Sequence, residues 1–359
     1  MAEPIYRDAF SRARISPDIQ SLWSIDDGSA PEYLVGPALF DPQVNGFAGV
    51  DFQDPALTRD TFEHAANAIR KAGCAHFFPT LITDNPDALE TKLANLGRCV
   101  GASPLLSAMV PGIHVEGPFL SSAPGYHGAH APEAMRPPDW AMFGRWQRAS
   151  GNRIRLITLA PELPGAIAFI RRASASGVAV SLGHTDAPLD TLREAVDAGA
   201  WMFTHLGNGC PLQMHRHDNI IQRVLHVPGL WASLIPDGIH LPPFVLANFA
   251  AQLGPERLVF TTDAVSAAGA QPGRYRVGTM EIEVGPDRVV MQPGGTGFAG
   301  SSLTMAEGLL NAARFGGLDL SASWRAWTRL RARLAPKVDT PLLLRLPCPI
   351  AADIPSART

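Results

Sequence analysis

Lysine is almost missing from this chain. Of its 30 Lys and Arg residues, only Lys71, Lys92 and Lys337 are lysines, a bias that reads as genome composition rather than chemistry. Cysteine is scarce too. Cys74, Cys99, Cys210 and Cys348 stand at neither metal-binding nor disulfide spacings, as expected of a protein in the reducing cytoplasm. Charge of one sign is also lacking: 33 Asp+Glu against 30 Lys+Arg leave a net charge of −3, which argues against the basic face of a nucleic-acid binder. No uncharged apolar run approaches the ~20 residues of a membrane span, and the opening MAEPIYRDAF has no apolar signal core. The expected partner is therefore a small molecule, with neither nucleic acid nor membrane involved.

What is present is a large apolar fraction, 46% of 359 residues. That is enough for a sizeable core and excludes disorder along the whole chain. Eight nearly continuous apolar runs recur between residues 37 and 264: PALFDPQV, CAHFFPT, GIHVE, RIRLITLA, VAVSLGH, WMFTH, WASLIPD and LVFTTDA. Such runs suit parallel strands covered on both faces. Helical patterns separate most of them, and several end at a glycine, as in TFEHAANAIRKAG and PGAIAFIRRASASG. Eight βα repeats over ~230 residues match a (β/α)8 barrel. A doubly wound sheet would want a glycine-rich phosphate turn after its first strand, and GFAGVDF lacks that spacing.

The expected organisation is a barrel over 37–271 and 300–320. Residues 1–36 and 272–299, the latter read as two β-hairpins, form a small, reduced β-sandwich appendage. Residues 321–359 are a C-terminal tail that starts helical and ends proline-rich.

Active sites of such barrels sit at the C-terminal ends of the strands. Here those ends carry Gln43, Asn45, Thr80, His114, Glu116, Glu162, His184, His205, Asp237, His240 and Asp263. Two imidazoles and a carboxylate are common protein ligands of a catalytic Zn²⁺, which singles out Glu116, His184 and His205. A metal so held lowers the pKa of a bound water to ~7. Asp263, ending the last strand, is placed to relay a proton; its plainer alternative is a helix N-cap. His114 shares the inward face with Glu116 and is read as a partner behind the ligands rather than a third histidine ligand. No lysine lies at a strand end to bridge two metals. Amides at Gln43 and Asn45 are poor Zn²⁺ ligands beside imidazole, so they too are read as lying behind the ligands. One divalent ion per chain is expected, zinc first, with iron, cobalt or manganese as alternatives.

At these residues the sequence resembles the N-acetylglucosamine-6-phosphate deacetylases of the amidohydrolase superfamily. The resemblance runs in order through FDPQVNGFAGVDF, FFPTLIT, GIHVEGPFLS, GAHAPE, LAPE, GHTDA, THLGNG, PDGIHL, TTDAVSAAG and FAGSSLTM. It implies that Glu116, His184 and His205 hold the metal, that Asp263 is the catalytic acid–base, and that His130 polarises the acetyl carbonyl. It further implies substrate contacts from Ala129, Asn208, Gly209, Arg216, Asp237, Gly238, Ile239, His240, Phe298, Ala299 and Gly300, and a homodimer. The implied reaction is hydrolysis of the acetamide of an amino-sugar phosphate. Other readings are a related amidohydrolase acting on another N-acyl sugar or a cyclic amide without phosphate, and a metal-binding paralogue that has lost catalysis. The chain departs from the family in its short N-terminal segment, its C-terminal tail, the stretch CPLQMHRHDNI and the expanded loop GYHGAH.

Overall fold

In the computed structural model, residues 5–11, 14–15, 22–24, 32–294, 297–336 and 343–347 are described. Four short strands precede the main body: β1 (Ile5–Asp8), β2 (Arg14–Ile15), β3 (Leu22–Ser24) and β4 (Glu32–Pro37). Then come β5 (Leu39–Val44), a small hairpin of β6 (Gly46–Phe47) and β7 (Val50–Asp51), and the strands β8 (Cys74–Ile82), β9 (Ile113–Glu116), β10 (Ile154–Leu159), β11 (Ala179–Leu182), β12 (Met202–Phe203), β13 (Trp231–Leu234) and β14 (Leu258–Phe260). Apart from β6 and β7 these form one parallel eight-stranded sheet in chain order from β5 to β14. A parallel bridge between Val44 and Ala264 closes it into a barrel. All eight strands expected from the apolar runs are present.

The helices α1 (Arg59–Lys71), α2 (Pro86–Gly101), α3 (Pro104–Met109), α4 (Trp140–Ala149), α5 (Ala166–Ala175), α6 (Leu189–Asp197), α7 (Ile220–His226) and α8 (Pro243–Arg257) cover the outside. Their starts follow local chemistry. Thr58 caps α1 in a reciprocal box with Thr61, Asn85 caps α2 ahead of Pro86, and Asp139 caps α4. The closing seam has its own clamp. Buried Asp41 on β5 accepts hydrogen bonds from Thr261 Oγ1 (2.7 Å), Thr262 Oγ1 (2.7 Å), Thr262 N (3.1 Å) and Gln43 N (3.1 Å). First and last strands are thus tied through one carboxylate.

The flanking segments are arranged differently from the expected single appendage. Residues 272–299 give β15 (Gly273–Val277), β16 (Met280–Val284) and β17 (Val290–Met291), a separate antiparallel sheet. It is tied to the β6–β7 hairpin where Gly278 N donates to Asp51 Oδ2 at 2.7 Å. The N-terminal strands instead pair with the far end of the chain. After α9 (Met305–Phe315) and α10 (Leu320–Leu334), β18 (Leu343–Pro347) runs antiparallel to β4 and parallel to β3, giving the order β2-β1-β4-β18-β3.

Residues 320–334, assigned mostly to a tail, are therefore built into the body. Leu330, Leu334 and Ala335 pack with Phe40, Phe78, Leu156, Met202 and Val259 and plug the floor of the barrel. Trp324 Nε1 donates to Pro37 O at 2.7 Å, and its ring lies so close to Gly36 that a Cβ there would sit 2.7 Å from it. Residues 348–359 and the greater part of 1–36 lie outside the described residues.

Candidate active site

The mouth of the barrel opens where the strands end, and three positions just beyond those ends have left-handed backbone: His184 (φ 52°), His205 (φ 30°) and Asp263 (φ 50°). A residue with a Cβ adopts that region only when its surroundings enforce it, at a cost of ~1–3 kcal/mol. Hydrogen bonds hold the turns: His205 N donates to Ser233 Oγ (2.8 Å), and Ser301 N donates to Asp263 O (3.1 Å). Gly209 (φ 61°) backs His184, and a Cβ on it would lie 2.8 Å from His184 Nδ1.

The side chains of Glu116, His184 and His205 converge. His205 Nε2 lies 3.0 Å from Glu116 Oε1, His184 Nε2 lies 3.4 Å from the same oxygen, and the two Nε2 atoms are 3.2 Å apart. All three residues are buried. His184 Nδ1 is 2.8 Å from the carbonyl of Tyr126. A carbonyl only accepts, so Nδ1 carries the hydrogen and Nε2 of the neutral ring presents a lone pair to the cluster. The His184 lone pair facing the Glu116 carboxylate in a buried site calls for a cation between them, and two imidazoles with a carboxylate are a suitable donor set.

Glu116, His130 and His184 likewise offer ligand atoms within 4.8 Å of one another, but the hydrogen bonds of His130 run the other way. Thr83 N, which can only donate, lies 3.3 Å from His130 Nδ1, with Thr83 Oγ1 at 2.8 Å. Nδ1 is therefore an acceptor, and Nε2 of the neutral ring is an N–H, 3.6 Å from Glu116 Oε2. His130 presents a donor to the site where His184 presents a lone pair.

The electrostatics agree. Burial pushes the Glu116 carboxyl up, but the imidazoles of His130, His184 and His205 around it outweigh burial and hold the group well below the usual range. Burial, with His130 close by, lowers His184 to about 4, keeping it neutral. For His205 burial acts downward too, yet Glu116 and Asp263 win and its pKa is raised. A mouth that favours positive charge at this point suits a divalent ion. Asp263 is pushed up to about 6, chiefly by burial and against the pull of His205. That places it near the range where a carboxyl can both take and give a proton.

Gln43 and Asn45 lie behind this group. Gln43 Nε2 is 3.0 Å from Glu116 Oε2 and 3.0 Å from Asp263 Oδ1, and Asn45 Nδ2 is 2.7 Å from Asp263 Oδ1. His114 sits deeper. Thr80 Oγ1 (3.2 Å) and Thr158 Oγ1 (2.8 Å) take its two ring nitrogens, and burial lowers its pKa to about 4. It supports the barrel layer beneath Glu116 and does not itself reach the ligand atoms. Glu162 accepts from Thr185 Oγ1 and Asp186 N and so braces the loop after His184.

The expected sugar-phosphate contacts are brought together in part. Asn208 Nδ2 donates to His205 O at 3.2 Å, which binds its loop to the ligand turn. Asp237 to His240 form a tight turn: Asp237 Oδ1 accepts from Ile239 N and His240 N, both at 2.8 Å, and His240 Nδ1 donates to Asp237 Oδ2 at 2.6 Å. The Phe298 ring, 45% exposed, lies 4.8 Å from that of His240, with Ala299 and Gly300 leading back to the barrel. Ala129 is half-buried beside His130. Arg216 is exposed and makes no hydrogen bond or ion pair among the described residues.

Reading the residues by type missed Thr204, Thr83 and the Tyr126 carbonyl, which orient Gln43, His130 and His184. The threonines stand inside THLGNG and FFPTLIT, but nothing in their spacing marks a role, and a backbone carbonyl leaves no trace in a sequence.

A closed parallel barrel with a buried Glu–His–His cluster, a facing acid and a histidine donor defines a metal-dependent hydrolase type of site. The comparisons narrow this. No protein-family model matches the chain. Among curated relatives, the N-acetylglucosamine-6-phosphate deacetylase of Bacillus subtilis (strain 168) is 34% identical over 274 residues, 76% of this chain and 68% of the relative. The N-acetylgalactosamine-6-phosphate deacetylase of Escherichia coli O157:H7 is 33% identical over 279 residues, 77% and 72% of the two chains. Among solved structures, an aspartate-to-alanine mutant of the Mycobacterium smegmatis N-acetyl-D-glucosamine-6-phosphate deacetylase, in complex with N-acetyl-D-glucosamine-6-phosphate, superposes with a TM-score of 0.81 at 31% identity, covering 89% of this chain and 84% of its own. The chain belongs to the N-acetylglucosamine-6-phosphate deacetylase family.

Proposed function

We propose that this protein hydrolyses the acetamide of N-acetylglucosamine 6-phosphate, releasing glucosamine 6-phosphate and acetate. The observation that carries this reading is the convergence of Glu116, His184 and His205 at the barrel mouth opposite Asp263. A divalent ion held by those three residues, zinc in our reading, would activate water and polarise the substrate carbonyl. Asp263 accepts the proton of the attacking water and returns it to the departing sugar nitrogen. His130 Nε2–H donates to the acetyl oxygen, on which negative charge builds as the water adds to the carbon. The C–N bond then breaks as the amine takes its proton. His240, held by Asp237, and Arg216 supply the phosphate contacts, and Phe298 covers the sugar.

We place one ion in each chain because amide side chains at Gln43 and Asn45 stand where further ligands would be needed. The free thiols of Cys74, Cys99 and Cys210 support a reducing, cytoplasmic location. Among the described residues no helix is long and apolar enough to cross a membrane. A homodimer follows from family resemblance.

The galactosamine-type relative, about as similar as the others, favours a second reading in which the galacto epimer is the substrate. Acetate release from N-acetylglucosamine 6-phosphate, its galacto epimer and unphosphorylated N-acetylglucosamine separates the possibilities. The first should give the highest kcat/KM. A preference for the epimer would select the second reading, and equal turnover of the phosphorylated and unphosphorylated sugars would remove the phosphate site from both.

A further inference from the structure

Gln43 stands between the two carboxylates on which the proposed chemistry depends, and its amide can point only one way. Nε2 has two hydrogens and two carboxylate oxygens, Glu116 Oε2 and Asp263 Oδ1, each at 3.0 Å. On the other side, Oε1 accepts from Thr204 Oγ1 at 2.6 Å. Turned over, the amide would set its oxygen against two carboxylates; the Thr204 hydroxyl can donate or accept, so the carboxylates set the orientation and Thr204 anchors the far end of the amide. Gln43 is buried, so water cannot make good the difference.

This arrangement sorts the oxygens. With Oε2 held by Gln43, Glu116 has Oε1 to offer His184 and His205, which both lie against that atom. With Oδ1 held by Gln43 and Asn45, Asp263 keeps Oδ2 for proton transfer. We infer that Gln43, anchored by Thr204, is a positioning residue that selects which oxygen of Glu116 binds the ion and which oxygen of Asp263 moves the proton. A neutral amide does this without adding charge between two carboxylates. A lysine would neutralise Asp263, and a third carboxylate would repel both. The inference rests on the ligand and acid–base roles given above to Glu116, His184, His205 and Asp263.

The test uses Gln43→Met, which keeps length and removes both donors, and Thr204→Val, which keeps shape and removes the anchor at the far end of the amide. Two readouts are taken: kcat and KM for the sugar phosphate, and the Zn²⁺ affinity of the metal-stripped protein in competition with a chromophoric chelator. Partners of this kind are typically worth about 10–100-fold in affinity or activity, so Gln43→Met should lose that much in both kcat and Zn²⁺ affinity, with KM within about threefold. Thr204→Val should show the same pattern in smaller measure.

A Gln43→Met protein with wild-type kcat and affinity would overturn the inference. So would a raised KM at unchanged kcat, the signature of a substrate contact. Should Gln43→Met fail to fold, wild-type kcat and affinity in Thr204→Val would overturn it instead. His184→Ala in the same chelator titration keeps the two levels apart. If that variant binds Zn²⁺ as the wild type does, the ligand reading itself fails; if it loses Zn²⁺ while Gln43→Met does not, only the inference about Gln43 fails.

Discussion

Single residues carry the proposed chemistry, and the sharpest contrast at this scale is between Asp263 as proton relay and Asp263 as a structural hydrogen-bond acceptor. Asp263→Asn keeps the shape but cannot exchange a proton. General acid–base help is typically worth ~10²–10⁴ in rate, so kcat should fall by that factor with KM within a few-fold. A variant near-normal in kcat but lower in melting temperature would take Asp263 out of the mechanism. Arg216 makes the opposite prediction. Exposed and unpaired among the described residues, it is available to a phosphate, and Arg216→Ala should raise KM by the equivalent of about 1.5–3 kcal/mol, the worth of a charged hydrogen bond, while kcat holds. Unchanged KM would leave it a surface arginine.

Most of this site was legible in the sequence, because ligand types at strand ends are a compositional signal. Glu116, His184, His205 and Asp263 were found as residues that have no reason to line a barrel mouth unless they act. Tautomers were not legible. The donor at His130 Nε2 and the lone pair at His184 Nε2 are set by Thr83 N and Tyr126 O, and backbone groups are the same at every position.

At the scale of elements, the eight strands could be read because strands covered on both faces need long apolar runs. Several connections could not. α4 packs aromatic residues around an internal Gly144, and α7 has only seven residues, too few for a clear period. The C-terminal stretch misled for a different reason. Its SWRAWTRLRARL is rich in arginine, and whether such a helix stays on the surface or plugs a barrel floor depends on Leu330 and Leu334 finding that floor while Trp324 and Trp327 pack into the main core.

Two tryptophans one turn apart test the packing. Trp324 Nε1 is bonded to Pro37 O, whereas Trp327 Nε1 is buried with no partner among the described residues. Trp324→Phe should cost the more, about 1–3 kcal/mol for the stranded carbonyl, and Trp327→Phe less, since it removes an unpaired N–H. Urea unfolding gives both numbers, and the reverse ranking would contradict the Trp324–Pro37 hydrogen bond.

His76, on β8 above the same plug, gives a pH test. Burial, with Arg331 adding to it, lowers its pKa from 6.5 to about 4, so the fold excludes the charged ring. The associated stability is complete above pH 6.5 and is lost as the pH falls toward 4. At 1.36 kcal/mol per pH unit this amounts to about 3 kcal/mol. Metal-stripped His76→Gln should lose less stability than metal-stripped wild type between pH 7 and 4.5, and parallel curves would place the ring in water.

For the whole molecule, the barrel gives the site its rigidity and the two ends of the chain complete the barrel's surroundings. β18 joins the N-terminal strands, α10 closes the floor, and the β15–β17 sheet packs on Ile82 and Val265 by the C-terminal ends of β8 and β14. The domain-scale expectation treated the chain ends as separate pieces because strand partners far apart in sequence leave no local mark. β4 and β18 are separated by some 300 residues of barrel, and only the folded chain shows that they pair. The proposed function nevertheless reduces to one requirement, a metal held by Glu116, His184 and His205. Acetate release from N-acetylglucosamine 6-phosphate by the purified protein tests it most directly, measured as prepared, after stripping with a chelator, and after adding back one equivalent of Zn²⁺ per chain. The account predicts turnover that disappears on stripping and returns with the single equivalent. Full activity in the stripped protein, or none after the ion is restored to a folded chain, would contradict it.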